Sequence, residues 1–557
     1  MLRRALVALS LANLCFIPAW REVLDPGPLF HCYHTKICPV GATILGVTFD
    51  VLLLAVLFFV GFELARRSRH PLALKAAYAA FLLAAIFPLN GLRIQFPALM
   101  TPRLIAALGL AGFGLVGLAL VALVLVAVWR FGLARLARGA ATVFLILSPF
   151  LVVAYAQSLY RLVSYRRAMP EQAAVAPPAP QQAPRVVWII FDELDYRVAF
   201  GERPATLQLP EFDRLRAQSV FAGEAYPPAG FTVQSIPAFV SGRLVADAKQ
   251  TRPDELVVKF HEEAEGVVWG TRPSLFARAR ELGRASAVIG WHHPYCRIFG
   301  RELVQCMWKE DTFSAEAVVL RSRVKDNMLR DARISFLSLP VLHRLLPRAE
   351  EDNEVDPRLL KMAADDYQEM VEQARKISTD PGIQLAFVHL PVPHPPGFYD
   401  RARGEVAVHR KNSYADSLAL ADRTLGEVRR AMEEAGVWDG AAVIVSSDHW
   451  WRAREVWDPD TGDPEAKAYW HPEDETMLPR ADDYRVPFLL KLPGQQHEAA
   501  YAPPFNTVLS HDLVLSLLRG ENHTPEAVAG WLDAHRSFGV SPYNNLLFET
   551  MRAKKYY

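Results

Sequence analysis

The run LIAALGLAGFGLVGLALVALVLVAVW, residues 104–129, constrains this chain more than any other feature, because it holds no charged residue. About 20 apolar residues suffice to cross a bilayer core of about 30 Å. Lipid offers the backbone no hydrogen bonds, so such a run has to be helical. Four further runs, 4–20, 42–64, 72–92 and 140–160, read as spans of the same kind. The first is short enough for a signal peptide, but it lacks a small-residue cleavage site and a polytopic array follows. We read it as an anchor, giving five spans.

Basic residues set the expected orientation. Arg3 and Arg4 precede the first span, Arg66, Arg67 and Arg69 follow the second, and Arg130, Arg135 and Arg138 follow the fourth. The opposite loops carry only Arg21, Lys36, Arg93 and Arg103. Arg161, Arg166 and Arg167 run against the rule locally. The N-terminus is expected in the cytoplasm of a bacterial inner membrane, with everything after about residue 160 in the periplasm or outside. An oxidising compartment permits disulfides. Cys32 with Cys38 and Cys296 with Cys306 are candidate pairs, free thiols being the alternative, and Cys15 lies in a span. Asp50 and Glu63, in or at the edge of the second span, are functional candidates as intramembrane carboxylates.

The transmembrane domain is taken as 1–165 and the Pro/Ala-rich stretch 166–184, containing PEQAAVAPPAPQQAP, as a semi-rigid linker. An external domain spans 185–557. A formal net charge of +1 argues against a nucleic-acid partner. No internal repeat is visible. Strand candidates are VVWIIF (186–191), ASAVIGW (285–291), QLAFVHL (384–390), AAVIVSS (441–447) and VPFLLKL (486–492). Their continuous apolar character suits strands buried on both faces. Helical patterns lie between them, which predicts an α/β domain with a mostly parallel central sheet flanked by helices. In such sheets chemistry collects beyond the carboxyl ends of the strands.

Those ends carry ligand-type residues. The first strand runs into Asp192 and Glu193, the third into His389 with His394 just after, and the fourth into Asp448 and His449. Oxygen and imidazole together suit zinc or manganese, as one or two ions. A lone Asp or His at a strand end is more often a cap or turn residue. Three strands delivering them to one edge favour the metal reading. FTVQSIPAFVSGR, 231–243, raises a further question: Thr232 is either an ordinary helix cap or a nucleophile.

The order and spacing over 185–520 resemble the alkaline phosphatase superfamily, in its sulfatase-like branch. VVWIIFDELD resembles that branch's first strand with its metal-binding acid, and PAGFTVQSIPAFVSGR its nucleophile helix. LAFVHLPVPHPP and AAVIVSSDHW resemble the substrate-contacting His strand and the Asp-His metal strand. Five spans before such a domain are similar to the membrane-anchored phosphoethanolamine and phosphoglycerol transferases, which include the lipoteichoic acid synthases. The resemblance implies Asp192, Asp448 and His449 as metal ligands, Thr232 as nucleophile and His394 as a proton-handling group. It departs from the sulfatase pattern Cys-x-Pro-x-Arg, because 232–236 read Thr-Val-Gln-Ser-Ile and Thr cannot become formylglycine. Glu is usual at the first acidic position, where Asp192 stands here beside Glu193. Trp450 and Trp451 replace the usual Gly after Asp-His, and are expected to narrow the site mouth or touch sugar or lipid headgroups. His471 is a candidate for a further site His, with an ordinary loop His as the alternative. His292 and His293, in GWHHPYC, either line the site or belong to a turn braced by Pro294. The cationic, aromatic tail NNLLFETMRAKKYY is either a membrane-surface contact or a solvated end.

The expected activity is metal-dependent phosphotransfer through a phospho-threonine, from a phospholipid donor to an envelope glycan or lipid acceptor. The alternatives are a phosphoesterase or sulfatase-like hydrolase of the same fold, and a non-catalytic lipid-binding regulator of the envelope.

Overall fold

The computed structural model describes residues 1–24, 32–68, 70–96, 101–175, 184–311, 322–337, 357–458, 460, 469–479 and 484–536. The chain divides into two compact units. One comprises Met1–Cys32, Ile37–Arg167 and Phe313–Glu351; the other comprises Tyr33–Lys36, Ala168–Thr312 and Asp352–Tyr557. The units part at Arg167/Ala168, inside the stretch 166–184 read as a linker, and each unit also takes residues from the other side of that point.

The first unit is helical: α1 (Leu2–Cys15), α2 (Ile17–Leu24), α3 (Val40–Arg67), α4 (Pro71–Ala84), α5 (Ile86–Arg93), α6 (Thr101–Phe131), α7 (Leu133–Ile146) and α8 (Pro149–Ala168). Among the described residues four stretches are long and apolar enough to cross a membrane: Val40–Arg67, Pro71–Arg93, Ala111–Phe131 and Leu133–Ala168. A fifth arises if α1 and α2, bent by 67°, form one span. Pro18 lacks the N–H that would continue the ladder at that bend, and Trp20 Nε1 donates to Asn13 Oδ1 across it at 2.8 Å. Glu63 pairs with Arg4 and Arg66 at 2.5 and 3.0 Å. Asp50 is buried, and its Oδ2 has no hydrogen-bond partner among the described residues.

One helix of this unit, Val324–Phe336, comes from far along the chain, from a stretch that the sequence reading counted in the external domain without naming a helix there. Its buried residues are Asn327, Asp331 and Ser335, spaced every fourth position on one face. The helix meets α3 at Gly46, where a Cβ would stand 2.7 Å from Asn327 Cβ. Glycine is what lets the two backbones approach. Phe336 closes the contact edge-on against Phe16 and Phe87, at 5.4 and 4.8 Å.

The second unit is built on an eight-stranded sheet. Its strands are β1 (Arg185–Phe191), β2 (Val220–Ala222), β3 (Ser286–Trp291), β4 (Gln305–Lys309), β5 (Leu385–Leu390), β6 (Ala441–Ser447), β7 (Phe488–Lys491) and β8 (Ala499–Tyr501). The order is β8-β2-β7-β6-β1-β5-β3-β4. Pairing is parallel except where β7 meets β6 and β2. β1, β3, β5 and β6 are buried almost throughout, as their unbroken apolar runs require. Helices α9 (Pro210–Arg216), α10 (Thr232–Ser241), α11 (Leu275–Glu281), α12 (Pro357–Thr379), α13 (Tyr414–Glu434) and α14 (Ser510–Arg519) complete the frame relevant here.

The linker differs from the spacer expected of its composition. Gln172 N and Val175 N donate to the carbonyls of Cys296 and Leu303 at 3.1 and 3.0 Å. Trp308 Nε1 donates to Glu171 Oε1 at 2.9 Å. Residues 171–175 are thus tied to the second unit, while 176–183 and the C-terminal tail after 536 lie outside the described residues. Cys32–Cys38 and Cys296–Cys306 are disulfides. Cys15 is a buried free thiol.

Candidate active site

Register builds the site. β1 pairs with β6 from Arg185↔Ala441 to Phe191↔Ser447, so both strands end at one level and Asp192 emerges beside Asp448. β5 lies on the other flank of β1, with His389 opposite Ile190. Ser447 Oγ stitches the two ends, accepting from Leu194 N at 2.8 Å and lying 2.8 Å from the Phe191 carbonyl. The 391–396 loop is held too, because His394 N donates to the Asp192 carbonyl at 3.1 Å.

Thr232 is the first residue of α10, and Phe231 occupies the N-cap without a side-chain capping bond. The threonine hydroxyl therefore does not cap its helix. It donates to Asp192 Oδ2 at 3.2 Å and lies 3.3 Å from His449 Nε2. His449 Nδ1 sits 3.0 Å from the Trp450 carbonyl, which can only accept, so the proton is on Nδ1. Burial and Arg452 keep the ring neutral, well below the usual His range. Its Nε2 lone pair then faces Asp192 Oδ1 at 3.5 Å and Asp448 Oδ2 at 3.4 Å.

Two carboxylate oxygens and an imidazole lone pair converging in this way repel one another unless a cation lies between them. The two spacings from His449, 3.5 and 3.4 Å, match one: ligand bonds of about 2.0–2.2 Å put neighbouring donors of a tetrahedron about 3.3–3.6 Å apart. Asp192 Oδ1 and Asp448 Oδ2 are buried and lack a hydrogen-bond partner among the described residues. The second Asp448 oxygen is already used, accepting from Glu193 N and His449 N at 3.3 and 2.9 Å. Burial, Asp448 and Glu193 push the Asp192 carboxyl well above its ordinary range, and burial raises Asp448 to about 6. These residues fit a divalent ion held by Asp192, Asp448 and His449 with Thr232 adjacent.

His389 approaches the same carboxylates from the other side. It offers one ligand atom with Asp192 and Asp448, the three lying within 4.8 Å of one another. The Tyr295 hydroxyl is 3.1 Å from Nδ1, and Nε2 has no hydrogen-bond partner among the described residues. Burial pulls its pKa down to about 3. His394 is half-buried between Trp291 and Trp457, at ring distances of 5.4 and 5.2 Å. Its Nδ1 contacts the Pro395 carbonyl, which leaves Nε2 as an acceptor. Burial and Arg452 draw its pKa down to about 3.

The remaining sequence candidates are placed elsewhere. Glu193, at φ 60, turns away from Asp192. Arg452 Nε and Nη2 both reach its Oε1 at 2.8 Å, and Trp457 Nε1 donates to Oε2 at 2.9 Å. Glu193 is a buried clamp residue and does not join the facing ligand atoms. Trp450 and Trp451 do not form a site mouth: both are buried, Trp450 edge-on to Tyr484 at 4.8 Å and Trp451 stacked on Tyr414 at 4.2 Å. The chain folds back after β6 and uses the rings as core. His471 caps the short helix Pro472–Glu475, accepting from Glu473 N. His293 is buried behind α10, 3.1 Å from the Thr232 carbonyl. Arg452, Trp457 and Tyr295 were missed. Arg452 and Trp457 follow Asp448-His449 closely and Tyr295 lies within GWHHPYC, the only signals that could have drawn notice.

A family model described as Sulfatase matches residues 184–519. The chain belongs to the sulfatase family. It is thus an enzyme of the alkaline phosphatase superfamily, whose members are hydrolases and transferases. No curated protein matches it. Similar solved structures include the PsFucS1 sulfatase from Pseudoalteromonas sp. (15% identity, 60% of this chain and 68% of that one, TM-score 0.38). Phosphonate monoester hydrolase of Agrobacterium radiobacter is similar at 14% identity, over 60% of this chain and 77% of that one, TM-score 0.35. Lipoteichoic acid synthase LtaP from Listeria monocytogenes is similar at 13% identity, over 61% and 73%, TM-score 0.33.

Proposed function

We propose that this sulfatase-family chain is a membrane-anchored phosphotransferase. It moves a phospho-substituent of phosphoethanolamine or phosphoglycerol type from a phospholipid to an envelope glycan or lipid, through phospho-Thr232. The observation that carries the reading is Thr232 itself. A threonine stands at the first position of α10, its hydroxyl 3.2 Å from Asp192, where formylglycine chemistry would need Cys or Ser. A bound zinc or manganese ion would acidify that hydroxyl and neutralise phosphoryl charge.

In the first half, Thr232 Oγ1 forms a bond to phosphorus while the bond from phosphorus to the lipid oxygen breaks. The Thr232 proton leaves past Asp192 Oδ2 and is passed by His394 to the departing alkoxide. The N-terminal amides of α10 face the phosphoryl oxygens. In the second half the acceptor hydroxyl attacks phosphorus, its proton returns through His394 to Thr232, and the threonine is released. Water in place of the acceptor gives hydrolysis by the same steps. The catalytic unit works on the outer side of the inner membrane, where donor and acceptor headgroups lie.

The test is Thr232→Ala in the full-length chain, assayed by mass spectrometry with phosphatidylethanolamine or phosphatidylglycerol and envelope glycolipids. Loss of both transfer and the phospho-threonine peptide is expected, with metal content kept. Full transfer by the variant overturns the reading, and diacylglycerol release without a modified acceptor assigns hydrolysis instead.

A further inference from the structure

The back of α10 is tied to residues that none of the chemistry above uses. His293 Nε2 lies 3.1 Å from the Thr232 carbonyl. A carbonyl only accepts, so Nε2 carries the proton. In the neutral ring Nδ1 is then an acceptor, and the Tyr33 hydroxyl, 2.9 Å away, donates to it. The chain of donors runs in one direction, from Tyr33 O–H through the imidazole to the backbone of Thr232. Both Tyr33 and His293 are buried, and Trp269 packs edge-on against the imidazole at 5.0 Å.

Tyr33 is itself held firmly. It belongs to Tyr33–Lys36, four residues that group with the sheet unit although they precede α3 in sequence. His34 Nδ1 is 2.8 Å from the His292 carbonyl, and Gln250 Nε2 is 3.1 Å from His34 Nε2. Arg297 Nη2 donates to the Thr35 carbonyl at 2.8 Å, and Lys36 N donates to Glu310. His292 stands at φ 68, a left-handed conformation that non-glycine residues seldom adopt. The loop after β3 and the Tyr33–Lys36 strap are thus joined at several points around His293.

We propose that Tyr33 and His293 are positioning residues for Thr232. The hydrogen-bond chain Tyr33–His293–Thr232 C=O fixes the first turn of α10, and with it the direction of the Thr232 hydroxyl. Neither residue touches a reacting atom. The geometry sets the backbone of the nucleophile from a segment some two hundred residues away in sequence. The inference rests on Thr232 being the nucleophile, but its structural half can be measured without any activity.

The test compares the wild-type full-length chain in detergent with Tyr33→Phe, His293→Leu and His293→Gln. Hydrogen–deuterium exchange is read on peptides covering 232–241, and turnover on bis(p-nitrophenyl) phosphate with manganese. Tyr33→Phe and His293→Leu are expected to speed exchange in the first half of α10 at least threefold. They should lower kcat at least tenfold with KM changed less than twofold. His293→Gln, whose amide N–H can still reach the Thr232 carbonyl, is expected to restore both. Tyr33→Phe removes one oxygen only, so the test survives if His293→Leu fails to fold. Wild-type exchange in Tyr33→Phe, or no restoration by Gln, overturns the proposal. If the wild-type chain leaves the phosphodiester intact, the functional reading fails for that substrate class, while the exchange measurement still decides the positioning claim.

Discussion

Replacing Arg452 with Met tests how Glu193, the buried acid next to Asp192, is tolerated. Arg452 is itself buried, and both its Nε and Nη2 lie 2.8 Å from Glu193 Oε1. Its guanidinium also stacks over Phe231, the N-cap of α10, at 4.8 Å. With Arg452 gone, Glu193 keeps only the Trp457 bond. Removing one partner of a buried pair costs about 3–5 kcal/mol. The cost depends on pH, and its sign can be worked out. Burial raises Glu193 from 4.5 to about 7 even with Arg452 present. A raised folded-state pKa favours folding below 4.5, and that benefit is lost as pH rises through about 7. Without Arg452 the pKa rises further, so the variant goes on losing about 1.4 kcal/mol per pH unit above 7 while the wild type levels off. The gap between them should therefore be about 1–2 kcal/mol at pH 6, where the neutral acid loses only ordinary hydrogen bonds. It should widen to about 3 kcal/mol or more by pH 8. Equilibrium urea unfolding of the full-length chain in detergent, at constant metal and followed by tryptophan fluorescence, gives both numbers. Glu193→Gln in the same background should abolish the pH dependence of the gap. An equal gap at pH 6 and pH 8, or simple additivity of the two changes, refutes the reasoning.

Other perturbations reach other parts of the structure. Asp448→Asn and His449→Ala should each lower bound zinc or manganese at least tenfold by elemental analysis of purified protein, since each removes a facing ligand atom. Unchanged metal content would contradict the site. Lys491 is buried and donates to the carbonyls of Trp438, Ala441 and Leu492 at 3.0, 3.3 and 3.1 Å. Burial lowers its pKa from 10.5 to about 8, so its contribution is full above 10.5 and is lost as pH falls through about 8. The stability of wild type relative to Lys491→Met should thus improve by about 2–3 kcal/mol between pH 7 and pH 10, measured by the same unfolding assay. Gly46→Val places side-chain atoms where a Cβ is already 2.7 Å from Asn327. It should cost about 1–3 kcal/mol, read as a lower midpoint in thermal unfolding.

The sheet, and the gathering of acids and imidazoles at one of its edges, were legible because both depend on local pattern. Unbroken apolar runs mark strands buried on two faces, and in a parallel sheet the residue after such a run must emerge at one edge. That pattern puts Asp192 and Asp448 at one edge; reading them with His449 as metal ligands rests on the family resemblance. What failed to show was the result of chain return. Trp450 and Trp451 follow a strand end, where residues usually meet solvent, yet Trp451 lies flat on Tyr414 from a separate helix. The Val324–Phe336 helix was invisible for the opposite reason. Its buried face is Asn327, Asp331 and Ser335, so a reading that turns polar faces outward inverts it. His293 and Tyr33 are 260 residues apart, and no spacing rule connects them.

The discontinuity of the two units has a practical meaning for how this gene can be divided. No single cut yields either unit whole. A fragment starting at residue 168 would carry the Asp192 and Thr232 centre without Tyr33, and would carry Val324–Phe336 without Gly46 to receive it. The apolar N-terminal helical half, made alone, would lack the same helix. Proteolytic release at the linker, recombination of the sulfatase-like half onto another anchor, and expression of a soluble half each remove residues that the remaining part packs around. The two halves have to be inherited, and made, as one polypeptide.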